Sequence, residues 1–223
     1  MIKQLLAFLL LLPFSLSASA RNAAINAAYK IEAIPALAEA TVSEAVRKSL
    51  DEKGIRVLDE KGKPVCEVWF RKSITTTKDE APGANFAQIG EGNFVGAIHF
   101  PASTSDFRGQ GIKAGYYTLR FGLILQDGNH LGVSPARDFF LLCPVADDKD
   151  PSTQMKMEDV LKLSRTASGT SHPSVWSLVP ASSDKDLPKI SKNEHEHVIL
   201  ETTLSTSSGP LAIGMIVVGR TEG

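Results

Sequence analysis

The segment YYTLRFGLIL (residues 116–125) alternates with a period of two. Tyr117, Leu119, Phe121, Leu123 and Leu125 fall on one side, and Tyr116, Thr118, Arg120 and Gly122 on the other. Successive side chains of a strand point to opposite faces, so the pattern predicts a strand with one buried face. Asp127-Gly128 then turns the chain, and RDFFLLCPV (137–145) returns as a near-continuous apolar run suited to a central strand. Two such strands joined by a tight turn make an antiparallel pair, to which the rest of the chain is added on both sides.

Upstream, Ile55 and Val57 begin a strand that turns at Glu60-Lys61-Gly62-Lys63 into a second, Pro64 to Ser73. In the latter Cys66, Val68 and Phe70 share one face, and Glu67, Trp69 and Arg71 the other. NFVGAIHF (93–100) adds a strand with Phe94, Ile98 and Phe100 facing one way. Downstream come SVWSLV (174–179), EHVILETTLS (196–205) and LAIGMIVVGR (211–220), the last two a hairpin across Ser207-Ser208-Gly209-Pro210.

Two helices interrupt the strands. Thr41 and Glu44 form a capping box ahead of an amphipathic helix over 42–52, and Gly54 supplies the stop. Met157, Val160, Leu161 and Ser164 have helical spacing within 147–169, with Ser152 or Thr153 as cap and Gly169 as end. About eight strands linked by hairpins and loops predict a mainly β fold. The expected architecture is a single antiparallel β-sandwich, jelly-roll or Ig-like, with two short helices.

The N-terminus reads as an address. Lys3 precedes the apolar run Leu5 to Leu12, Pro13 breaks it, and Ala18-Ser19-Ala20 places small residues before Arg21. This predicts a cleavable signal peptide over 1–20 and export to the periplasm or beyond the cell. Residues 21–40 follow as an Ala-rich, partly flexible leader, and 41–223 as one β domain. No later segment has the ~18 apolar residues of a spanning helix, so no membrane span is expected in the mature chain. The net charge is −1 and the basic residues are scattered, which argues against nucleic acid as a partner.

Cys66 and Cys143, the only two cysteines, both lie in apolar strands. They can be a disulfide of an oxidising compartment or two buried thiols. Nothing in the sequence brings their strands together, and the thiol reading is preferred.

The chemistry candidates are sparse. His195 and His197 flank Glu196 at the start of a predicted strand, which would send both imidazoles to one face and Glu196 to the other. With His130, His99 or His172 as a third ligand they could hold a divalent metal, the one cofactor candidate; otherwise they are a solvated strand end. Asp147-Asp148-Lys149-Asp150 lacks the spacing of a calcium loop and reads as acidic charge before a helix. There is no G-x-S-x-G nucleophile elbow, and Gly109 to Gly115 precedes a strand, unlike a dinucleotide loop. Trp69, Tyr116 and Trp176 are candidates for a sugar-stacking platform, or else core.

IKAGYYTLRFGLILQDGNHLGVSPARDFFLL (112–142) resembles secreted bacterial proteins of uncharacterised families, in which an "aG.Y.L" strand leads through a turn to a second apolar strand. The resemblance implies an exported β-sandwich and transfers no catalytic residue. The expectation is therefore a non-enzymatic exported module binding a protein or glycan ligand, with loops 75–92 and 101–111 as the binding end. A metal-dependent enzyme at His195 and His197 is the alternative, and a carbohydrate-binding module the third.

Overall fold

A computed structural model describes residues 29–125 and 134–221. The strands are β1 (Lys30–Pro35), β2 (Lys53–Leu58), β3 (Pro64–Phe70), β4 (Phe94–Phe100), β5 (Thr104–Ser105), β6 (Gly111–Ile112), β7 (Gly115–Leu123), β8 (Asp138–Pro144), β9 (Val175–Val179), β10 (Lys189–Lys192), β11 (Val198–Thr206) and β12 (Gly209–Val218). The helices are α1 (Glu44–Ser49) and α2 (Met157–Ser168). Mainly antiparallel β with two short helices is what the strand periods predict. Among the described residues no helix is long and apolar enough to cross a membrane.

The two facing sheets of a sandwich are replaced by one ten-stranded sheet, ordered β1-β2-β3-β4-β7-β8-β9-β12-β11-β10, with β5 and β6 as a separate ribbon. β9 makes the difference. It pairs with β8 through Phe139–Ser177, Phe140–Trp176 and Leu141–Val175, and with β12 through Val179–Gly214 and Leu178–Met215. This short strand joins two halves that would otherwise be separate sheets. The halves curl toward each other until β1 and β10 come into contact, giving a nearly closed, barrel-like sheet. Register shifts after Val57, Phe94 and Val198 add the local bends that such curling needs.

The interior is filled by one apolar cluster drawn from both halves. Val57, Val68, Ile98, Leu119, Phe121, Phe140, Leu178, Leu200, Ile213 and Met215 are all 0 % exposed. Each such side chain contributes about 1.5–3 kcal/mol by leaving water. Loop 75–92 closes one end, its Phe86 and Ile89 buried in that cluster and held by Asp138, whose carboxylate accepts from the backbone N–H groups of Asn85 and Phe86 at 2.9 Å each. Ile112 of β6 joins the same cluster beside Phe100, Tyr117 and Trp176.

Several local expectations shift. The cap of α1 is Ser43, whose Oγ accepts from Val46 N at 3.2 Å, not Thr41, and the helix ends at Ser49 because Leu50 bridges to Arg71. Phe94 faces away from Ile98 and Phe100, because the bulge before Gly96 flips it to the outer face with Ala97 and Trp69. Ser152 and Thr153 bond Asp150 rather than cap α2, which starts after Lys156 without a side-chain cap. Gly169 does end it, in the left-handed conformation. Residues 30–35 of the segment read as a leader form β1, antiparallel to β2.

Cys66 and Cys143 are free and buried. Cys66 packs inside the barrel and Cys143 on its outer face under α2, three strand spacings apart, or about 14 Å along the sheet. A disulfide needs Cα atoms within about 7 Å.

Candidate functional site

His195 and His197 lie not on a strand but in the turn between β10 and β11, where Glu196 takes a left-handed φ of 59°. Their rings do approach, with centroids 5.6 Å apart. His197 is only 7 % exposed, and both its ring nitrogens are occupied. Nε2 sits 3.0 Å from the carbonyl of Arg220, and Nδ1 3.2 Å from the Asn193 amide nitrogen. A carbonyl only accepts, so Nε2 carries the proton and Nδ1 accepts from Asn193. Metal binding by His197 would have to break one of these bonds. His130 lies outside the described residues, and among those described no group of three His, Cys, Asp or Glu side chains could hold a metal ion. The pair lines a hollow of about 210 Å³ with Phe107, Ser134, Pro135, Arg220 and Thr221.

The aromatic candidates are placed differently. Trp69 is 4 % and Trp176 2 % exposed, so neither presents a stacking face. Tyr116 is half-buried and stacks on His99 at 4.1 Å. It ends a rung across five strands, Glu32–Arg56–Glu67–His99–Tyr116, whose members are register partners on one face. Within it Glu67 accepts from Arg56 Nε at 2.7 Å and lies 2.8 Å from His99 Nδ1.

Asp148 has a role that its sequence did not announce. Arg120, on the outer face of β7 and 0 % exposed, gives Nε and one Nη to the two oxygens of Asp148 at 2.8 and 2.6 Å. Its remaining N–H groups go to the carbonyls of Gly92, Thr153 and Asp150, so every donor of the guanidinium is used. This buried pair straps residues 148–153 over β7 and fixes the approach to α2. The acidic run is thus a structural anchor, which neither calcium binding nor helix capping foresaw.

The larger concavity lies beside that strap. Its volume is about 350 Å³, inside the range usual for small-molecule sites. Phe139, Val175 and Ser177 form the floor, and Leu123, Ile124 and Leu125 one wall. The other wall is a stripe of α2 at i, i+4 and i+8: Met157, Leu161 and Arg165. Gly122 lets the helix sit this close, since a Cβ there would stand 3.0 Å from the Phe139 ring and 3.1 Å from Met157 Cε. Leu125 is 65 % exposed at the rim, an unusual solvent contact for a leucine beside an apolar hollow. Of the three lining serines, Ser134 and Ser177 bond each other at 2.8 Å, and Ser171 lies beside His172.

Charge is confined to the ends. Arg108, Arg165 and His172 line the cleft, and so does Glu91. Met157 and Arg165 are eight residues apart, about 12 Å along the helix. Glu91 belongs to the Met157 end, because its Oε1 accepts from Leu123 N at 3.1 Å. Arg108 is positioned by Asp106, which is fully buried and accepts from the N–H groups of Arg108, Gln110 and Val175 at 3.0, 2.8 and 3.2 Å. Burial pushes the Asp106 carboxyl up, with these hydrogen bonds opposing the shift. Loop 101–111 therefore does reach a concavity, through Phe107 and Arg108, whereas loop 75–92 is spent mainly on closing the barrel and touches the cleft only through Glu91.

No protein-family model, no curated protein and no solved structure matches this chain. What it does has to be argued from its own residues.

The sequence pointed to the α2 face through Met157 and Leu161, but not to Arg165 as the polar end of the same stripe. The i+8 spacing was the available signal. Nothing local signalled that Arg108 would meet it.

Proposed function

We propose that this protein is an exported binding module that holds a small, largely apolar ligand in the cleft between α2 and the β7–β8–β9 face. The observation that carries the reading is the cleft itself: about 350 Å³ of concavity with apolar walls and a few polar groups held at its ends. The barrel interior offers no rival, because it is packed with side chains from both halves of the sheet. Export is supported by the Lys3, Leu5–Leu12 and Ala18-Ser19-Ala20 pattern and by the resemblance of residues 112–142 to secreted bacterial proteins. Binding rather than catalysis is supported by the predominantly apolar lining, in which Ser134 and Ser177 are bonded to each other.

A titration with Nile red tests the reading. The native chain is expected to bind the dye saturably with a blue-shifted emission, and Leu161→Trp, which fills the cleft, is expected to weaken binding at least about tenfold at an unchanged melting temperature. Dye binding that is non-saturable, or equal in the variant, overturns it.

The metal alternative at His195 and His197 has one observation in its favour, the 5.6 Å separation of the rings. The two hydrogen bonds that already occupy His197 weigh against it.

A further inference from the structure

Resting on the cleft reading, the distribution of charge along the cleft goes further and names a ligand class. We infer that the cleft takes an amphipathic anion, a medium-length acyl chain carrying one anionic head, with the head between Arg108 and Arg165 and the chain along Leu161 toward Met157.

Two guanidiniums from unrelated parts of the chain line the cleft, one from the β5–β6 ribbon and one from the last turns of α2. Among the described residues neither has a carboxylate partner, in contrast to Arg56, which pairs with Glu67 and Glu32, and to the fully buried Arg120, which pairs with Asp148; Arg108 is half-buried and Arg165 exposed. Bringing two like charges to one cleft without a counter-ion costs free energy, which a bound anion would recover. Guanidinium suits this task, since its planar fork matches carboxylate and phosphate oxygens. Arg108 is also held in place: Asp106 Oδ1 accepts from its backbone N–H and from Gln110 N, and Oδ2 from Gln110 Nε2 and Val175 N. His172 adds a third group that is cationic when protonated.

The opposite end excludes the reverse orientation. Glu91 stands by Leu123 and Met157, where an anionic head would be repelled and a methyl end tolerated. Between the ends lie Leu161, Phe139, Ile124 and Val175, with no charged side chain among them. A path of about 12 Å along the helix suits a chain of medium length.

The test compares decanoate, decyl phosphate, decanol and decylamine by calorimetric titration at one ionic strength. Decanoate or decyl phosphate is expected to bind at least about tenfold more tightly than decanol, and decylamine more weakly than decanol. The tighter of the two anions tells a carboxylate head from a phosphate head. In Arg108→Gln/Arg165→Gln the anion should fall to the decanol level while decanol is unchanged, and added salt should weaken only the anion. If decanol binds as tightly as both anions, or if the double variant keeps the anion preference, the inference is overturned and the apolar cleft reading stands. If none of the four binds, both fail. Should the double variant not fold, the ratio of anion to decanol on the native chain decides.

Discussion

Glu67 stands at the centre of the rung on β1, β2, β3, β4 and β7, its side chain 12 % exposed between Arg56 and His99. Burial acts to raise its pKa, but the hydrogen bonds from His99 and Arg56 outweigh burial and hold it below the ordinary 4.5. A carboxylate lowered in the folded state contributes stability that is complete above its unfolded pKa and disappears as pH falls through the folded one. Glu67→Gln is therefore expected to cost about 1.5–3 kcal/mol at pH 7. The gap between native and variant should close on going to pH 3, as read by urea unfolding at both pH values. A gap of equal size at the two would show that the ionised form is not what the rung stabilises. Alternation along PVCEVWF placed Glu67 opposite Cys66 and Val68 correctly. That Arg56, His99 and Tyr116 share its rung depended on the register of three strand pairs, which no single segment contains.

At the scale of elements, the passage from strand to strap turns on Gly92. Its φ is 78°, and a Cβ there would stand 1.8 Å from the Met155 carbonyl oxygen. Gly92 also lends its own carbonyl to Arg120 and to Met155 N. Gly62, in the β2–β3 turn, has nearly the same φ, 75°, but nothing within 4 Å of the site of a Cβ. The pair separates conformational strain from steric conflict. Gly62→Ala should cost about 1–2 kcal/mol, the left-handed penalty alone. Gly92→Ala should cost on the order of 4 kcal/mol or more, because the backbone must part and the Arg120 network with it. Urea midpoints of the two variants check this, and losses of similar size would contradict it. Element type was legible at this scale, since periods of two and 3.6 mark strands and helices wherever one face is buried. Boundaries were less so. Ser43 displaced Thr41 as cap, and the bulge at Gly96 reversed Phe94, because both depend on what the neighbouring strand or strap offers.

For the whole molecule, the curl of the sheet settles the fate of the two cysteines. Cys66 is enclosed by the barrel and its thiol is pushed up to about 12 by burial, with the adjacent Glu67 charge adding to the shift. Cys143 lies under α2, where burial likewise drives its thiol up. The thiolate is the reactive species, so both should be inert in the folded chain. Native protein is expected to take up no thiol reagent over minutes, and two equivalents once unfolded in urea, even after preparation under oxidising conditions. Rapid native labelling of either cysteine, or a Cys66–Cys143 bridge found by mass, would contradict the placement.

By itself the sequence determined the strand periods and the antiparallel hairpins, and with them a mainly β fold carrying two short helices. These are local properties, written in the alternation of neighbouring residues. Only the tertiary structure decided that one sheet curls nearly shut instead of two sheets stacking, that His195 and His197 occupy a turn with His197 already bonded, and that Arg108 and Arg165 line one cleft. Closure depends on twist and bulges accumulated over ten strands, and the cleft on a meeting of a ribbon, a helix and a sheet face that are far apart in the chain. Such long-range sums leave no periodic trace in any one stretch of residues.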